Sequence, residues 1–204
     1  MKRYTILFFV ISVIIYSYAK ETHNYLLEAL SKPVPVLLLI FSLKPVGRYC
    51  RFILAGLVFS LFGDIALLGY FDLFMPGLVF FLTAHFLYII AFSGRNRSMP
   101  VKSLILFLIL AVMIISFLYP RLGSLKMPVA VYVLVITVMG WRAFVQRDYD
   151  NAAVYAFAGA VFFIISDFNL AVNKFVHPYH YSAVVTIITY WIAQYLIVRS
   201  AVEE

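Results

Sequence analysis

The chain has 204 residues, of which 65% are hydrophobic and 12% charged, and it carries a formal net charge of +7. Soluble domains average about 25% charged residues, and the mean hydropathy here is +0.99, so a soluble core is excluded and a polytopic membrane protein is indicated. The single Cys50 excludes an internal disulfide and a Cys-based metal cluster. The basic residues sit in short loops between apolar runs, where they set membrane orientation, so no nucleic-acid partner is expected.

A helix needs roughly 20 apolar residues to cross the hydrocarbon core. Taken in chain order, that criterion predicts eight spans, at about 4–19, 25–43, 52–70, 74–92, 103–119, 127–145, 152–171 and 180–198. None is visibly broken in the sequence. The first also has the features of a secretory leader, with Lys2 and Arg3 ahead of an apolar stretch and Ser17-Tyr18-Ala19 after it. It is read as a span, because the later helices need a partner at that end of the bundle. The loops are too short to hold a soluble domain, so residues 1–204 form one transmembrane domain.

Counting Lys and Arg by side sets the orientation. One side holds Lys2, Arg3, Lys44, Arg48, Arg51, Arg95, Arg97, Lys102, Arg142, Arg147 and Arg199. The other holds Lys20, Arg121, Lys126 and Lys174. Eleven against four places both termini in the cytoplasm of a cell membrane, most simply a bacterial inner membrane.

An internal repeat runs through these spans. Ala55-Gly56-Leu57-Val58-Phe59 leads to Gly63-Asp64 and Leu67, and Ala158-Gly159-Ala160-Val161-Phe162 leads to Ser166-Asp167 and Leu170. Lys32-Pro33-Val34-Pro35-Val36 has a counterpart in Met127-Pro128-Val129-Ala130-Val131, and Ala84-His85-Phe86-Leu87 has one in Ala193-Gln194-Tyr195-Leu196. The predicted fold is therefore all-α, with eight transmembrane helices as two parallel four-helix repeats, about 1–98 and 99–204. Four is even, so both halves share one orientation.

A carboxylate inside a span costs about 2.5–3.5 kcal/mol on insertion scales, which makes Asp64 and Asp167 functional candidates. Matched positions suggest one site built from two halves. Two neighbouring carboxyls in a low dielectric do not both ionise readily, which favours one protonated and one ionised group, a pair suited to acid and base work. The competing reading is helix packing, each Asp bonded to a hydroxyl or a backbone group. Lys32, a turn or two inside the second span, either neutralises an Asp, holds a phosphate, or snorkels to the interface. His85 is either a satisfied core residue or a site member. Tyr132, Asn169, Asn173, Tyr190 and Gln194 are polar groups that commonly glue membrane helices together. Of all these, Lys32, His85, Tyr132, Asn169, Asn173 and Gln194 make up the candidate substrate-binding set. His177 and His180 lack the spacing of a zinc site, and no metal or other cofactor is expected. Gly56, Gly63, Gly77 and Gly159 permit close helix approach.

Lys32-Pro33, Gly63-Asp64-x-x-Leu67, Gly77-x-x-x-Phe81-x-x-Ala84-His85-x-x-Tyr88, Ser166-Asp167-x-x-Leu170-Ala171 and Ala193-Gln194-x-Leu196-Ile197 together resemble the YhhN family, over residues 30–198. The resemblance implies an eight-span membrane hydrolase that cleaves the vinyl ether bond of a lysoplasmalogen. The products would be a fatty aldehyde and glycerophosphocholine or glycerophosphoethanolamine. The family's paired membrane aspartates match Asp64 and Asp167, so the implied partners are a lysophospholipid substrate and the membrane lipid itself. The oligomeric state is open. Vinyl ethers hydrolyse by protonation of the β-carbon and attack of water on the oxocarbenium ion, which a carboxyl and a carboxylate can manage, much as in inverting glycosidases. The rival reading is a proton- or ion-coupled transporter using the same Asp pair at a repeat interface.

Overall fold

The structure is a computed structural model, described here for residues 3–68 and 73–202, with side chains from residue 7 onward. It is all-helical, with no strand among the described residues. Helix α1 spans Arg3–Glu21, α2 Tyr25–Ser31, α3 Val34–Ser42, α4 Gly47–Ala66 and α5 Phe74–Arg95. Then come α6 Val101–Leu118, α7 Lys126–Gln146, α8 Ala153–Phe175 and α9 Ser182–Val202. Seven stretches among the described residues are long and apolar enough to cross a membrane, one of them formed by α2 and α3 together. The predicted span at 4–19 falls on α1, whose first side chains lie outside the description, as do residues 69 and 70 of the predicted span at 52–70.

The second span departs from the unbroken helix that was expected. It is interrupted between Ser31 and Val34, although Lys32 and Pro33 keep right-handed helical dihedrals. Pro33 and Pro35 have no N–H to give to the preceding turn, so the hydrogen-bond ladder opens there. The sequence contained this signal in Pro33-Val34-Pro35, which reads as a helix start only when the residues before it are not helical too.

Segment α1, read in the sequence as leader or span, packs on α2, α3 and α9. Phe9 and Tyr16 meet Trp191 edge-on, with ring centroids 6.2 and 6.0 Å away. The most extensive contacts are between α4 and α5 and between α8 and α9. Both hairpins close on a glycine of the repeated Ala-Gly-x-Val-Phe motif. A Cβ on Gly56 would lie 2.2 Å from the Tyr88 ring of α5, and one on Gly159 would lie 2.8 Å from Ile197 Cγ1 and from the Ala193 carbonyl oxygen of α9.

The Gly159 contact involves backbone, which cannot move aside as a side chain can. Gly159→Ala should therefore lower stability by about 1–3 kcal/mol, the usual scale of overpacking. Gly94, exposed in α5 with nothing within 4 Å of its would-be Cβ, gives the opposite expectation, a gain of roughly 0.5–1 kcal/mol on conversion to Ala. Thermal melts of the two detergent-solubilised variants against the parent check both signs.

One end of the bundle is tied by arginines that the sequence reading used only for orientation. Arg142, buried at 5% exposure in α7, donates from Nη1 to the Ser98 carbonyl at 2.8 Å and from Nη2 to the Asn96 carbonyl. Asn96 Nδ2 donates to the Val145 carbonyl at 2.9 Å, and Arg95 Nη2 donates to the Ser200 carbonyl at 3.0 Å. This end is closed. The opposite end, where α1, α4 and α8 finish and α2, α5 and α9 begin, holds a cavity.

Candidate active site

Asp64 lies in the last turn of α4, and Asp167 lies two turns from the end of α8. Both line the same cavity of about 340 Å³. Asp64 is 2% exposed and Asp167 is half-buried. The structure thus brings the two carboxyls to one cavity, not to opposite faces of the bundle.

Each carboxylate carries a tyrosine. Tyr190 of α9 donates its hydroxyl to Asp64 Oδ2 at 2.8 Å, and Tyr132 of α7 donates its hydroxyl to Asp167 Oδ2. A buried carboxylate needs such donors, since an unpaired one is strongly disfavoured. Both tyrosines are buried, at 4% and 7% exposure, and both line the cavity. Their rings are held by neighbours: Tyr190 packs on Phe163 and Phe81 at 5.4 and 5.7 Å, and Tyr132 packs on His85 at 5.3 Å. Each tyrosine engages one carboxyl oxygen, Oδ2, of its Asp.

Lys32 lines the same cavity, beside Asp64. Its Nζ donates to the backbone carbonyls of Asp64 and Leu67, at 3.2 and 3.3 Å. These belong to the last turn of α4, where carbonyls have no intrahelical partner and the helix carries partial negative charge. The ammonium caps that end and fixes the backbone at Asp64. The break at Pro33 follows Lys32 directly, in the stretch that crosses the end of α4.

The remaining predicted substrate residues divide. Asn173 lines the cavity, and its Oδ1 accepts from Ser182 Oγ at 2.6 Å. Asn169, His85 and Gln194 are not among the cavity-lining residues. Asn169 is used between helices, with Nδ2 donating to the Ser182 carbonyl at 2.9 Å and to Thr186 Oγ1 at 2.6 Å, and Oδ1 accepting from Tyr179. Gln194 accepts from the Tyr88 hydroxyl at 2.7 Å. His85 is fully buried behind Tyr132, with its ring 4.6 Å from Phe163, and neither ring nitrogen finds a partner among the described residues. Among the described residues no three His, Cys, Asp or Glu side chains come together to hold a metal.

Tyr190 was read from the sequence as helix glue and is a direct partner of Asp64. Its spacing of four before Gln194 places both on one helix face, the one available hint. The Lys20–Glu28 pair at the mouth, 2.6 Å apart, was also missed. Lys20 counted there only toward orientation. The rest of the wall is mostly apolar, including Leu78, Ile114, Leu118, Val133, Ile136 and Phe168, with Ser166, Thr186 and Lys174 as further polar members.

The comparisons with known proteins point the same way. The profile of the YhhN family matches residues 27–201. The lysoplasmalogenase TMEM86A of Bos taurus is 40% identical over 162 residues, which are 74% of this chain and 65% of that protein. The human lysoplasmalogenase TMEM86B is 35% identical over 184 residues, 86% of this chain and 76% of that protein. The matched part spans less than two thirds of the length of the TMEM86A relatives, at 65%. No solved structure matches it significantly. With the family profile covering most of its length and relatives of this similarity beside it, the chain belongs to the YhhN family.

Proposed function

We propose that the chain hydrolyses the vinyl ether bond of a lysoplasmalogen, releasing a fatty aldehyde and a glycerophospho-base. The observation that carries this is the pair Asp64 and Asp167, each hydrogen-bonded to a tyrosine, facing one largely apolar cavity. The names of the relatives support the same chemistry. A protonated carboxyl of the pair gives its proton to the β-carbon of the vinyl ether, and the C=C electron pair forms the new C–H bond. The ether oxygen stabilises the cation left on the adjacent carbon. The ionised carboxyl takes a proton from water as the water oxygen attacks that carbon. The hemiacetal hydroxyl then gives its proton to the now-ionised first carboxyl as its oxygen forms the C=O, the C–O bond to the glycerol oxygen breaks, and the second carboxyl protonates that oxygen, giving aldehyde and alcohol and restoring the pair. Tyr132 and Tyr190 hold the carboxylates in place, and the apolar wall holds the chain.

Aldehyde release from an alkenyl lysophospholipid by the purified protein is the direct test. Turnover with a chelator present and no added metal is expected. A protein that binds the lipid and releases no aldehyde would end this reading. The transporter reading gains one observation from the break in the second span, since interrupted helices form carrier sites. Lys32, beside that break, donates to the Asp64 and Leu67 carbonyls at the end of α4, which supports a fixed ammonium there and not a carried ion.

We also infer eight spans in two parallel halves, with α1 as the first. Gly56 faces Tyr88 and Gly159 faces Ile197, and these pairs correspond under the offsets that relate the two sequence halves. That agreement supports the repeat. Positive charges gather at the end of the bundle away from the cavity, which supports cytoplasmic termini and a cavity open to the outer leaflet. Reporter fusions after residues 22, 123 and 177 are expected outside, and those after 47, 98 and 148 inside; the reverse pattern would invert the orientation.

A further inference from the structure

At the mouth of the cavity sits an ion pair that the hydrolytic chemistry does not use. Lys20 Nζ lies 2.6 Å from Glu28 Oε1, and the Glu28 side chain is only 6% exposed against 34% for Lys20. The same ammonium sits 5.8 Å from the centroid of the Tyr16 ring, and Tyr16, Lys20 and Glu28 all line the cavity. A carboxylate this buried needs a cation beside it. The long, partly exposed lysine stem makes Lys20 the movable member of the pair. Glu28 and the ring of Tyr16 together form a seat for an ammonium, and a primary ammonium from the chain itself occupies it.

We propose, resting on the lysolipid reading of this cavity, that Glu28 and Tyr16 bind the head-group amine of the substrate and select a primary ammonium over a trimethylated one. Lys20 is a placeholder: when the substrate amine takes the seat, the Lys20 ammonium moves to the head-group phosphate. The exchange brings in a zwitterion and re-pairs all four charges, so the mouth stays neutral. The 2.6 Å contact is a charge-assisted hydrogen bond that needs an N–H donor. A trimethylammonium has none, and its methyl groups hold the nitrogen away, which leaves the buried carboxylate without a donor. The position also fits. Glu28 lies four residues before Lys32, about 6 Å along the helix, and Lys32 Nζ touches the backbone of Asp64. The seat is thus offset from the Asp pair toward the mouth, where a head group would lie.

The test uses the full chain in lipid nanodiscs and two ester-linked lysolipids with the same acyl chain, lysophosphatidylethanolamine and lysophosphatidylcholine. Neither has a vinyl ether, so turnover does not enter, and binding is read from intrinsic fluorescence or thermal shift. The primary-amine lipid should bind about tenfold more tightly, the scale of one charged hydrogen bond. Glu28→Gln should bring the ratio close to one. Should that variant not purify in folded form, Lys20→Met carries the test: it removes the competing ammonium and should raise the ratio at least about threefold, a fraction of that same bond. Equal affinities in the parent, or a ratio that neither variant moves, would overturn the proposal and leave the lysolipid reading standing. If neither lipid binds, both fall.

Discussion

Asp64→Asn and Asp167→Asn each lower the rate of aldehyde release by at least about 10²-fold, the scale of losing a general acid or base. Both variants should still insert and fold. Asn keeps the shape, accepts the tyrosine hydrogen bond through its amide oxygen, and removes the cost of a carboxylate inside the bundle. The two losses should not multiply in the double variant, because the groups act as one unit. The pH–rate profile of the parent should be bell-shaped and belong to the pair, and each single variant should lose one limb. Solvent deuterium should slow the parent if protonation of carbon limits the rate. Tyr190→Phe and Tyr132→Phe should cost less than either Asp change, since the carboxyl remains and only its orientation loosens. Full activity in either Asn variant, measured as aldehyde released per folded protein, would remove the Asp pair from the mechanism.

Lys32→Met is expected to lower kcat about tenfold, a barrier increase of about 1.4 kcal/mol, with KM little changed. It copies the residue at the repeat-related place, Met127, and keeps much of the volume. It removes the donors to the Asp64 and Leu67 carbonyls. Two carbonyls left without a partner in a buried site cost about 1–3 kcal/mol each, and the last turn of α4 that carries Asp64 should shift to relieve them. A small displacement of a reacting group is enough to slow the chemistry while the lipid still binds. The variant should also melt at lower temperature than the parent. A raised KM with kcat unchanged would show instead that Lys32 holds the phosphate, the role weighed for it from the sequence.

Several features were legible in the sequence because the bilayer enforces them locally. A span must be a continuous apolar run, so α4 to α9 could be placed from hydropathy alone, most to within a few residues. The cost of a carboxylate in such a run singled out Asp64 and Asp167, and the repeated motif around them suggested that they share a site. The glycines at 56 and 159 marked the close helix contacts, because a missing side chain there has few other uses. What the tertiary structure decided was partnership. Tyr190 reaches Asp64 across 126 residues of chain, and nothing local to either residue specifies that contact. Asn169 and Gln194 looked available for substrate, yet helix packing turns them to Ser182, Thr186 and Tyr88. Lys32 was read as a phosphate or carboxylate partner, and the crossing at the end of α4 adds two backbone carbonyls that no local pattern specifies. A hydrogen bond depends on position to within a few tenths of an ångström, and that position is set by how whole helices cross, a property of the bundle and not of any one span.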